Sequence, residues 1–145
     1  LKSIDNFAFY KCSSLTQIVI PSTVKLIGDY VFDGCSSLPE ISIPSSVSSI
    51  GCCTFKNCSS LEKIAIYSSI QSISASLFNG CSSLEEFKIP STVSTVGKDA
   101  FSNCSSLKIL HVPESLKFDT NNIGIDENVT KILKNKWKMN YINLY

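Results

Sequence analysis

Histidine, tryptophan and methionine each occur once in the 145 residues. Charged side chains make up only 17%, against roughly 25% in an ordinary soluble domain. The net charge is +1. That gives no basic surplus of the kind nucleic acid demands, and no nucleic-acid partner is expected. No apolar run approaches the roughly 18 residues of a membrane span, so no transmembrane segment is expected here. No secretory leader is visible. The chain opens at Leu1, inside a repeat and without Met, and reads as a piece of something longer. Phosphate-loop, dinucleotide and metal motifs are missing, so no cofactor and no metal is expected. The lone histidine, His111, has no aligned nucleophile, which argues against catalysis and for a non-enzymatic chain.

What the chain does have is apolar content, 43%, and a strict internal period. Cys-Ser-Ser-Leu stands at 12–15, 35–38, 58–61, 81–84 and 104–107, always 23 residues apart. Each copy continues as Leu-x-x-apolar-x-apolar, usually closed by proline: Ile18, Ile20 and Pro21; Ile41, Ile43 and Pro44; Phe87, Ile89 and Pro90; Leu110, Val112 and Pro113. The alternation predicts a short strand with one face buried. Proline ends it because the ring nitrogen has no proton for a ladder. A second strand is expected around Val24 and Ile27, Val47 and Ile50, Ile70 and Ile73, Val93 and Val96. Gly28, Gly51 and Gly97 follow, at an expected sharp turn. An aromatic anchor comes next, Phe9, Phe32, Phe55, Phe78 or Phe101, on an expected helical or 3₁₀ turn pointing inward.

One coil cannot stand alone. About six buried side chains at roughly 1.5–3 kcal/mol each do not match the entropy of ordering a coil, roughly 1–2 kcal/mol per residue. Stability must come from stacking, as in any solenoid.

The pattern Ile-Gly-x-x-x-Phe-x-x-Cys-Ser-Ser-Leu-x-x-Ile-x-Ile-Pro-Ser-Ser-Val, best carried by 27–47 and 96–113, resembles the BspA-like leucine-rich repeats. The resemblance runs over residues 1–116. It implies a leucine-rich-repeat solenoid with short parallel strands stacked once per coil. It also implies a surface or secreted location, and a protein-binding role in cell adhesion or host interaction, with a host matrix protein as partner. The third copy departs from the pattern, with Tyr67 for proline and Ser74 for glycine.

Residues 117–145 break the period and are read as a C-terminal cap. Val129, Ile132, Leu133 and Trp137 recur at helical spacing, with acids before and lysines after. The spacing predicts a capping helix over 126–138 that covers the last coil. The alternative is a basic amphipathic helix lying on a membrane surface. Residues 141–145 read as a final strand or a linker.

Cys12, Cys35, Cys58, Cys81 and Cys104 should form a column. Adjacent strands lie about 4.7–4.9 Å apart, wider than disulfide geometry. A line of thiols also does not converge as zinc requires. The column is therefore expected to be buried and reduced, with at least one of Cys52 and Cys53 exposed. Outward strand positions form two rows: Gln17, Glu40, Lys63, Glu86 and Ile109, then Val19, Ser42, Ala65, Lys88 and His111. Glu40, Lys63 and Glu86 alternate in sign and should attract across strands. These rows read either as register-setting charge pairs or as a ligand surface on the strand face. The candidate surface comprises Gln17, Glu40, Lys63, Tyr67, Glu86, Lys88 and His111. The glycosylation acceptors at Asn57, Asn103 and Asn128, the first two at repeat positions, read as chance matches to a short motif. Two further readings stay open: an intracellular scaffold, since free thiols suit a reducing compartment, and the recruitment domain of a larger enzyme.

Overall fold

In a computed structural model, residues 1–125 and 131–135 are described. The chain winds as a parallel β-solenoid, one turn per 23 residues. First strands of successive coils are β3 (Glu40–Ile43), β5 (Lys63–Ile66), β7 (Glu86–Lys88) and β9 (Ile109–Pro113). Second strands are β1 (Ser3–Ile4), β2 (Leu26–Ile27), β4 (Ser49–Ile50), β6 (Ser72–Ile73) and β8 (Thr95–Val96). Every pairing among these is parallel and links residues 23 apart, for example Glu40 with Lys63 and Glu86 with Ile109. The sheets are β1-β2-β4, β3-β5, β6-β8 and β7-β9, the last extended by β10 (Lys131–Asn135). The first-strand segment of the first coil, 16–20, is not a strand.

The expected capping helix is corrected. Residues Lys131–Asn135 form β10, a fifth-position strand parallel to β9 that pairs Lys131 with Ile109 and Asn135 with Pro113. The rest of the expected helix, Trp137 and residues 141–145 lie outside the described residues. A short apolar spacing of three and four is compatible with either helix or strand. The open edge of β9 decides between them, because it presents a row of unpaired donors and acceptors.

The core is one column shared by all coils. Phe32, Phe55, Phe78 and Phe101 are buried, with Phe9 of the first coil half-buried. Their rings stack from coil to coil at centroid distances of 5.4, 5.6, 5.8 and 5.6 Å. The phenylalanines stand on consecutive tight turns, and no helix occurs among the described residues. Two residues per turn are left-handed. One series is Lys11, Gly34, Asn57, Gly80 and Asn103; the other is Phe7, Tyr30, Cys53, Ser76 and Asp99. Left-handed backbone precludes helix and costs a non-glycine residue roughly 1–2 kcal/mol.

Main-chain bonds to the next coil hold that conformation. Tyr30, Phe32 and Gly34 N–H donate to the carbonyls of Cys52, Thr54 and Lys56, at 3.0, 2.9 and 2.9 Å. The same triplet recurs 23 residues on, from Cys53, Phe55 and Asn57 to Ala75, Leu77 and Asn79. Ser76, Phe78 and Gly80 then donate to Lys98, Ala100 and Ser102. This turn-side ladder is unbroken through the array.

Gly28, Gly51 and Gly97 have a different purpose from the one expected. The left-handed region belongs to Gly34, Gly80 and Gly124. Gly51 and Gly97 instead permit close approach of coils: a Cβ on Gly97 would lie 2.4 Å from Ala75 N and 2.8 Å from Ser74 C. Backbone cannot move aside as a side chain can. Gly97→Ala is therefore expected to destabilise the protein by roughly 1–3 kcal/mol, the usual cost of overpacking. Urea denaturation with an unchanged midpoint would show that these coils stand further apart.

Candidate functional site

The cysteine column shows how the coils are locked beneath the exposed face. Each thiol donates to the carbonyl of the phenylalanine 26 residues earlier: Cys35 to Phe9, Cys58 to Phe32, Cys81 to Phe55 and Cys104 to Phe78, at 3.2, 3.2, 3.1 and 3.1 Å. Burial is the main cause that pushes these thiols up, Cys35 to about 11 and Cys104 to about 12. Cys58 and Cys81 are shifted up further by burial, with neighbouring column cysteines adding to it. A thiol held protonated is a poor nucleophile, so the column is structural. Two expectations are refined. Cys12 is exposed at the first coil, and of the Cys52-Cys53 pair only Cys52 is exposed. Among the described residues, no cluster of three or more metal-type ligands forms.

The strand face carries the candidate surface. Gln17, Glu40, Lys63, Tyr67, Glu86 and Lys88 are exposed, and His111 is half-buried. The register brings Glu40 opposite Lys63, and Lys88 opposite His111. It does not extend the row to Gln17, whose segment pairs with no strand, nor from Lys63 to Glu86, because β5 and β7 belong to different sheets. The expected alternating charge row is therefore interrupted. Side-chain pairing occurs instead at the far end: Lys108 forms an ion pair with Glu85 at 3.6 Å, and His111 Nε2 hydrogen-bonds Glu86 Oε1. These contacts are exposed or partly exposed and contribute little to stability.

Three open grooves cross this face. One, about 770 Å³, lies over the first three coils and is bordered by Val19, Ile41, Pro44, Ala65 and Tyr67. A second, about 730 Å³, lies between the third and fourth coils, with Glu62, Lys63, Glu85, Glu86 and Lys88 around Ile64. A third, about 440 Å³, is bordered by Tyr67, Ser68, Lys88 and Pro90. Tyr67 separates the first from the third and is 69% exposed, while Val19 is 89% exposed. An aromatic ring and a branched side chain this open on a strand face are available anchors for a partner. Val19, Glu62 and Glu85 were outside the candidate set read from sequence. The outward row does contain Val19, but its degree of exposure comes from the missing strand at 16–20.

The family model described as the BspA type leucine-rich repeat region matches six copies over residues 2–124. A leucine-rich repeat protein of T. pallidum is 31% identical, with a TM-score of 0.81, covering 92% of this chain and 62% of that one. A leucine-rich cell surface protein of Faecalibacterium prausnitzii is 32% identical, with a TM-score of 0.65, covering 79% and 26%. A leucine-rich repeat protein of Eubacterium ventriosum is 31% identical, with a TM-score of 0.74, covering 81% and 32%. The chain thus spans less than two thirds of each. A search of curated proteins finds no significant match. Among the described residues, no helix is long and apolar enough to cross a membrane.

Proposed function

The chain belongs to the BspA-type leucine-rich repeat family, and on that premise we propose that it is a protein-binding module whose recognition surface is the strand face, acting in a cell-surface adhesion or host-interaction protein. The observation that carries the reading is Tyr67. It stands exposed between two grooves, with Val19 bordering one and Lys88 the other. Glu40, Lys63, Glu86 and Lys88 supply charged rim positions, which steer and orient a partner more than they add affinity. Gln17 and His111 extend the surface to its two ends. The F. prausnitzii relative, a cell surface protein, supports the location.

The test is a binding screen against immobilised extracellular matrix proteins, followed by Tyr67→Ala and Lys63→Glu. Loss of an anchor of this type removes about 2 kcal/mol, so Tyr67→Ala is expected to weaken Kd roughly thirty-fold. Lys63→Glu is expected to act mainly on the association rate. If both variants fold and bind every hit as the parent does, the strand face is not the site.

A second reading, an intracellular scaffold, is favoured by the reduced, carbonyl-bound thiols, which suit a reducing compartment. Fractionation of cells expressing the complete protein separates the two.

A further inference from the structure

The third coil differs from its sisters in four linked ways. In the first, second and fourth copies Pro-Ser-Ser/Thr-Val closes a tight turn, with the N–H of Val24, Val47 and Val93 donating to the carbonyl of Pro21, Pro44 and Pro90 at 3.0, 3.1 and 3.0 Å, and Leu116 bonds Pro113 likewise in the fifth. Among the described residues, Ile70 makes no such bond to Tyr67. Proline pre-sets the turn dihedral and tyrosine does not. Second, the turn serine is exposed in the sister copies, as Ser22, Ser45 and Ser91. Here Ser68 is only 4% exposed and its hydroxyl has no partner.

Third, Gly28, Gly51 and Gly97 N–H donate to the carbonyls of Ile4, Ile27 and Ile73 in the preceding coil. At the equivalent Ser74 the side-chain Oγ takes over and donates to Ile50. A Cβ at this position meets backbone in the sister glycines, and at Ser74 the main-chain bond to the preceding coil is replaced by the side-chain one. Fourth, both sheets stop at this coil. Its first strand, β5, pairs back to β3 and not forward to β7, whereas its second strand, β6, pairs forward to β8 and not back to β4. Ile64 and Ile66, core positions in other copies, remain half-buried.

The chain therefore leaves one paired block and enters the next between Ile66 and Ser72. Among the described residues the main-chain ladder that crosses between the blocks is the turn-side one, in which Cys53, Phe55 and Asn57 N–H donate to the carbonyls of Ala75, Leu77 and Asn79. We propose that segment 67–71 is a hinge that divides the strand face into two surfaces, coils one to three and coils four to five, which pivot about the continuous turn ladder. The groove between β5 and β7, with Glu62, Lys63 and Glu86 on its walls, changes width as they pivot. A ligand spanning both surfaces holds the pivot in one position. A ligand confined to one surface leaves it free. The inference stands on backbone pairing and does not depend on the binding reading.

Amide hydrogen exchange followed by NMR on the native chain tests it. The amides of Ile64, Ile66, Gln71 and Ser74 are expected to exchange at least tenfold faster than those of Ile41, Ile43, Ser48 and Gly51, their equivalents one coil earlier. A graft of the sister turn, Tyr67→Pro with Ile70→Val and Ser74→Gly, is expected to slow Ile64, Ile66 and Gln71 to the rates of those equivalents. Uniform protection across the coils in the parent overturns the hinge. Fast exchange that persists in a folded graft overturns its assignment to segment 67–71.

Discussion

Near pH 10 the protein is expected to lose stability steeply, at about 5 kcal/mol per pH unit. The cause is the cysteine column. In the unfolded chain its thiols ionise around the ordinary value of 9.0, whereas in the fold Cys35 is pushed up to about 11 and Cys104 to about 12, with Cys58 and Cys81 also held up. Above pH 9 the unfolded state therefore binds fewer protons than the native state. Stability is complete below the unfolded value and falls as pH rises towards the folded ones. Four groups at about 1.4 kcal/mol per unit each give the slope. Two units of it remove roughly 10 kcal/mol, comparable to the whole stability of an ordinary domain, about 5–15 kcal/mol. Urea titrations at pH 8, 9 and 10 measure the effect. In a Cys58→Ala, Cys81→Ala chain the slope should drop by about half, whatever the baseline loss from two shortened side chains. An identical slope in that variant would assign alkaline unfolding to lysine and tyrosine instead.

Phe55→Ala is the second large effect, at roughly 3–5 kcal/mol. The ring is fully buried and stacks on Phe32 and Phe78 at 5.6 and 5.8 Å. Its main chain also joins two neighbouring coils, since Phe55 N–H donates to Leu77 and its carbonyl receives Cys81 Sγ as well as Cys58 N–H from its own turn. The substitution leaves those bonds in place and removes the ring, so the cavity opens between two stacked neighbours that cannot collapse into it without shifting their own coils. Phe9 stacks on one side only and is half-buried. Phe9→Ala is expected to cost less than half as much. Equal losses at the two positions would mean that the aromatic column does not propagate stability along the array.

Much of this molecule is legible because every coil faces the same environment. Cys58 and Cys81 recur with Phe55 and Phe78 at one spacing, since each must fill the same place in a shared column. Repetition turns a three-dimensional contact into a one-dimensional signal. The Gly34, Asn57, Gly80 and Asn103 series carried a further message: glycine and asparagine alternate where the backbone is left-handed. The reason for Gly51 and Gly97 was not readable. A glycine that turns the chain and one that lets another coil approach look alike in a sequence. The candidate surface was legible as a set of outward positions. Its grooves and its broken charge row were not, because they depend on which strands pair.

Period, strand alternation, the thiol column and the phenylalanine stack were determined by the amino-acid order alone, through local patterning repeated at fixed spacing. The tertiary structure decided three things. Residues Lys131–Asn135 extend a sheet, Tyr67 stands open between grooves, and the ladders part at the third coil. Each is settled by the distance between neighbouring coils. That distance depends on every side chain wedged between them, and no single stretch of chain encodes it.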